Sequence, residues 1–183
     1  MRNKRLLVLA GLICAALATA GISFAMVKSG GVSGISATFN ATNVVRDVQK
    51  SCTVNGGDTY TYTRAVYTGT AVSSDARMNG PIKLWIQSMV DDTTGIGALI
   101  GNYNIGDDKS GSYGRIEASL VAGQADGSVR GHVRLPWGEL FAGLSGAYAP
   151  TGGFTNGSIG AGDGAQSGVV LSRGECVHVI YLH

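Results

Sequence analysis

The groups able to do chemistry are few and scattered along this 183-residue chain. Cys52 and Cys176 are the cysteines outside the N-terminal apolar run, and His178 stands two residues from Cys176. A nucleophilic cysteine needs a base within hydrogen-bond reach, but a two-residue spacing is what any strand places on one face. Neither a Cys-x-x-Cys nor a Cys-His spacing suited to zinc accompanies them. The pair therefore reads as one disulfide, Cys52 to Cys176, formed in an oxidising compartment. It would close a loop of about 125 residues and contribute up to about 5 kcal/mol through chain entropy.

Other motifs fall short of the chemistry they suggest. Gly143-Leu144-Ser145-Gly146-Ala147 lacks the last glycine of a nucleophile elbow and the strand-to-helix context that exposes the serine. Gly160-Ala161-Gly162-Asp163-Gly164 has no phosphate-binding lysine and no following helix. Asp91-Asp92 and Asp107-Asp108 offer oxygens to a hard cation but lack the spaced ladder and distal Glu of a calcium loop, so they read as turn residues. His132 with Arg130, Arg134 and Glu117 could meet an anion, or be a solvated strand face. Asn40 and Asn156 head three-residue glycosylation patterns. No catalytic, cofactor-binding or metal-ligating set emerges, so a non-enzyme without a cofactor is favoured.

The elements around these residues begin with an address. Arg2, Lys4 and Arg5 precede an apolar run over 6–27, with Ala18-Thr19-Ala20 as a small-residue cleavage motif. Residues 1–27 read as a helical signal peptide, or alternatively as an uncleaved membrane anchor long enough to span a bilayer. Secretion or an extracytoplasmic place in the cell envelope follows. Residues 28–39 read as a glycine-rich linker and 40–183 as one domain. Without the terminal cluster the charge falls from 14 basic against 12 acidic groups to 11 against 12, which leaves no footprint for nucleic acid.

The 29 glycines and the lack of a 3.6-residue apolar period exclude a helical body. Short alternating segments predict an all-β fold. If Asp92-Thr93-Thr94-Gly95 joins strands over 81–91 and 96–106, opposed residues sum to 187. Ile82 then faces Ile105, Leu84 faces Tyr103, and Ile86 and Val90 face Gly101 and Gly97. If Asp126-Gly127 is a two-residue turn, opposed residues sum to 253. Leu120, Ala118 and Ile116 then meet Val133, Leu135 and Trp137 on one face, with Arg115, Glu117, Arg130, His132 and Arg134 on the other. Further strands are expected over 44–54, 59–72, 140–149 and 168–179, with 150–164 as a long loop or an irregular hairpin. About eight strands predict a small antiparallel barrel, with a two-sheet sandwich as the alternative. The Cys52–Cys176 bond would set the first strand beside the last. The expected barrel is similar in architecture to calycin and dirigent or allene-oxide-cyclase barrels, although no motif places it in either family.

In the 187 register Trp85, Met89, Ile96, Ala98 and Ile100 point away from the core. Soluble monomers rarely expose a large apolar patch, so this face is either a partner surface or a second packed layer. The reading is an exported noncatalytic domain that binds or assembles, through a homo-oligomer or a protein partner. The membrane would be reached only through an uncleaved N-terminal segment. The alternative is a barrel that binds or transforms a small apolar molecule in its lumen.

Overall fold

Buried and exposed side chains alternate along eight strands that follow one another in the chain: β1 (Ala37–Thr53), β2 (Thr59–Val72), β3 (Gly80–Asp91), β4 (Ile96–Ile105), β5 (Ser112–Val121), β6 (Gln124–Val133), β7 (Gly138–Ala149) and β8 (Gly153–Gly160). The computed structural model describes residues 34–53 and 57–160. Each strand pairs antiparallel with the next, and β8 returns to β1 to close a barrel. Closure satisfies the backbone groups that an open sheet would leave at its edges. The expected N-terminal helix over 1–27 lies outside the described residues.

The first hairpin adopts the register read from the sequence. Ile82 faces Ile105, Leu84 faces Tyr103 and Ile86 faces Gly101. Its turn chemistry is explicit, because the Asp91 carboxylate accepts from the Thr93 and Thr94 amides at 2.8 and 2.9 Å. β5 and β6 instead turn at Ala122-Gly123, so that Ser112 faces Val133 and opposed residues sum to 245. Asp126-Gly127 is interior to β6, opposite Ser119 and Ala118. Leu135 and Trp137, expected inside, lie in the β6–β7 connection at 72% and 65% exposure.

The folded body also reaches further back than Asn40, since Ile35, Ala37 and Phe39 are buried. Residues 150–164, expected as a long loop or an irregular hairpin, contain β8, which pairs back on β7. Its Gly157 is there for close approach: a Cβ would stand 2.3 Å from the Phe39 ring. The barrel is closed by Ala37–Ala41 meeting Phe154–Ile159; the 168–179 segment, expected as the closing strand, lies with Cys176 outside the described residues.

Side chains fill the lumen. Tyr67, Tyr103, Phe154, Ile82, Leu84, Ile86, Leu99, Ile116, Leu120 and Leu140 are all under 2% or at 2% exposure. Met78, from a short 3-10 helix (Ala76–Met78) between β2 and β3, is fully buried with them. Asp75 caps that helix, accepting from the Arg77 backbone, and Arg77 reaches across to the Pro136 carbonyl at 3.2 Å. This ties the β2–β3 connection to the β6–β7 connection. The polar tips of the inner tyrosines find partners inside: Tyr148 hydroxyl with Ser88 at 2.9 Å and Tyr67 at 3.2 Å, and Tyr103 with Ser112 at 2.9 Å.

Burial holds these phenols protonated. It pushes Tyr103 up to about 12, and it raises Tyr67 and Tyr148 as well. A phenol in the unfolded chain ionises near pH 10. The unfolded state therefore loses its protons first, and this contribution is intact below about pH 10 and lost as pH rises toward 12. For Tyr103 alone two pH units amount to about 2–3 kcal/mol. Urea midpoints are expected to fall steeply above pH 10, and Tyr103→Phe is expected to flatten that fall. An unchanged slope in the variant would refute the assignment.

Candidate functional site

With the lumen occupied, the groups left to meet other molecules stand on the outer wall. Strand pairing sets them in rows around the barrel. One row runs Arg46, Val66, Trp85, Asn102, Arg115, Arg130 and Phe141 across β1 to β7. The row above it holds Lys83, Asn104, Tyr113, His132 and Glu139, and the row below it holds Val48, Arg64, Gln87, Ile100 and Glu117. Arg46, Val48, Lys50, Tyr62, Arg64 and Val66 share a surface depression with Trp85, Gln87, Ile100, Asn102 and Arg115.

The five residues singled out for the apolar face are all on outward positions of β3 and β4, but they are not equally available. Ile96 is 56% and Trp85 39% exposed, Ile100 is half-buried, and Met89 is buried. Met89 faces Tyr62 across β2 and β3, and Tyr62 is also buried, donating its hydroxyl to Gln87 Oε1 at 3.1 Å. The Lys83 ammonium lies 5.0 Å from the centre of the Trp85 ring. The exposed apolar area is thus centred on Trp85 and bounded by cations.

A second aromatic group, not anticipated as such, lies beside it. His132 stacks on Trp137 with ring centres 5.1 Å apart and meets Tyr113 at 5.5 Å. The Arg134 guanidinium sits 4.3 Å over the Tyr113 ring. Phe141 adds a further ring at 55% exposure. The expected grouping of His132 with Arg130, Arg134 and Glu117 is dispersed: His132 faces Tyr113 and Glu139, while Glu117 faces Ser128.

The electrostatics of the wall are unbalanced at one point. Arg115 and Arg130 are direct cross-strand partners, an arrangement of like charges that destabilises a sheet. Glu117 offsets Arg115 only through an exposed contact at 3.9 Å. Among the described residues Arg46, Arg64 and Arg130 make no ion pair.

The remaining motifs are structural where they are described. Ser145 is exposed within β7, with no strand-to-helix turn beneath it. Asp107 accepts from the Lys109 and Ser110 amides, and these backbone donors hold its carboxyl below the usual range, as the Thr94 and Thr93 amides do for Asp91. Among the described residues no three His, Cys, Asp or Glu side chains converge as a metal site. Cys52 is on β1, and Cys176 lies outside the described residues. Comparison with family models finds no match, and no curated protein or solved structure matches the chain either.

Proposed function

We propose that this is an exported domain that works by binding, and that its outer wall from β1 to β7 receives an acidic protein partner around an apolar centre. The observation that carries this reading is the Arg115–Arg130 juxtaposition within a wall that exposes Trp85, Trp137, Tyr113 and Phe141. Trp, Tyr and Arg are the residues that dominate interface energetics. Each large side chain left in water forgoes about 1.5–3 kcal/mol of burial. An anionic partner would turn the like-charge pair into a double donor for carboxylates. A face-to-face second copy would set these cations against themselves, which disfavours a homodimer through this wall. The rival reading, a small apolar ligand in the lumen, needs space that Tyr67, Tyr103, Tyr148 and Phe154 occupy.

A synthetic peptide alternating Glu and Phe serves as the probe, with an alternating Lys and Phe peptide of equal length as control. Tryptophan fluorescence is expected to report binding of the acidic peptide alone. Arg115→Glu with Arg130→Glu is expected to weaken it at least about ten-fold, with the unfolding midpoint retained. Equal response to both peptides, or an unchanged affinity in the double variant, would refute the reading.

A further inference from the structure

Four arginines of the outer wall form two pairs, one on each side of Trp85. Arg46 on β1 faces Val66 on β2, and Arg64 on β2 faces Val48 on β1, so these two arginines are diagonal neighbours on one face, within reach of each other's long side chains. Arg115 on β5 and Arg130 on β6 are direct partners. Along the row that joins Arg46 to Arg115, Val66 faces Trp85, Trp85 faces Asn102, and Asn102 faces Arg115. Trp85 is therefore two strands from either arginine, about 10 Å along the wall on each side.

The wall of a closed barrel curves away from solvent, yet Arg46, Arg64, Trp85 and Arg115 line one depression of about 990 Å³. Two register shifts in β1, between Asn40 and Asn43 and between Val44 and Arg46, come just before this stretch, and bulges of that kind bend a strand. A depression of this size takes a ligand or a short chain segment rather than a flat protein face. Among the described residues, none that lines it is acidic.

We infer that the acidic partner inserts one extended segment here, with an aromatic residue on Trp85 and carboxylates on both sides of it, one set for each arginine pair. This rests on the outer wall receiving an acidic partner, and adds a spacing to that reading. A concave wall brings the two pairs closer than they are along the sheet, so about 10 Å is the longest span from the aromatic anchor to a carboxylate. An extended chain covers it in about three residues. A helix reaching both pairs, about 19 Å long and 10–12 Å across, would displace about 1,500 Å³ or more, which exceeds the depression. The segment therefore carries acidic residues two or three positions before and after its anchor. Acidic residues on one side alone would leave the other arginine pair without a partner.

Calorimetric titration of the full chain with end-capped peptides tests it. Glu-Glu-Ala-Phe-Ala-Glu-Glu is expected to bind at least about ten-fold more tightly than Phe-Ala-Ala-Glu-Glu-Glu-Glu, which has the same composition. In Arg46→Glu with Arg64→Glu the order of preference is expected to change, so that Lys-Lys-Ala-Phe-Ala-Glu-Glu binds more tightly than the all-acidic peptide. Arg115→Glu with Arg130→Glu is expected to show the same reversal from the other side. Arg46→Gln with Arg64→Gln, which adds no carboxylate and so disturbs the fold least, is expected to abolish the ten-fold preference with the unfolding midpoint retained. Equal affinity of the parent for the two acidic peptides, a preference that survives the Gln replacements, or the absence of either reversal would overturn the spacing while leaving an acidic partner standing. Failure of every acidic peptide to bind, the alternating Glu and Phe peptide included, would overturn both.

Discussion

Phe154→Ala is expected to cost about 3–5 kcal/mol, a large share of the stability of a domain this size. Phe154 is fully buried on β8, with its ring 5.1 Å from Tyr148 and 5.6 Å from Phe39. It is paired with Ala41 on one side and Tyr148 on the other. Those pairings sit at the β1–β8 seam, where far fewer residues are paired than between β1 and β2. A cavity there removes packing from the place where closure has least redundancy. Ala41, its partner on β1, has no reach to refill it. Phe141→Ala provides the contrast, because that ring is 55% exposed and its loss is expected to stay within about 0.5 kcal/mol. Urea midpoints of the two variants decide the matter, and similar values for both would show that Phe154 does not hold the seam.

Gly131→Val is expected to reverse the usual sign of a glycine replacement in a strand. Strand propensity alone would reward valine by about 0.5–1 kcal/mol. Gly131 faces Gly114 across β5 and β6, and Gly114 faces Tyr103 across β4 and β5. A Cβ at Gly131 would stand 2.2 Å from the Tyr113 carbonyl oxygen and 2.7 Å from the Tyr103 hydroxyl. The two glycines make the space that the tyrosine fills. Overpacking is therefore expected to outweigh propensity, with a net loss toward the upper end of about 1–3 kcal/mol or beyond. Tyr103→Phe in the same chain should give little rescue, because the closer contact is with backbone. Full rescue would mean that only the flexible end of the tyrosine was in the way.

The alternation of side chains determined by itself that the chain is all-β, that β3 and β4 pair as they do, and that Trp85 and Ile96 face outward. Local chemistry sufficed there, because Asp91 and Gly95 build a turn whose donors and acceptors are all within five residues. β2 and the end of β7 were legible for the same reason, being bounded by clear turn residues. The β5–β6 hairpin shows what alternation alone leaves open. Sums of 253 and 245 differ by eight, an even slip, so the residues that remain within the two strands keep their faces while every partner changes.

Only the tertiary structure distinguishes the two. Gly127 reads as half of an Asp-Gly turn, yet it is needed inside β6, where a Cβ would stand 2.0 Å from the Glu117 carbonyl oxygen. The true turn uses Ala122 at a φ of 49°, a residue type that gives no turn signal. That slip also hid the candidate site. At a sum of 253 Arg115 faces Gly138, whereas in the barrel it faces Arg130. Trp137 moves in the same step from a core position to the exposed stack with His132. β8 was obscured by its glycines, which suggest a loop in one dimension and make room for Phe39 in three. Which residue types face the core is a property of period two and local to each strand, but which of them meet depends on partners distant in the chain.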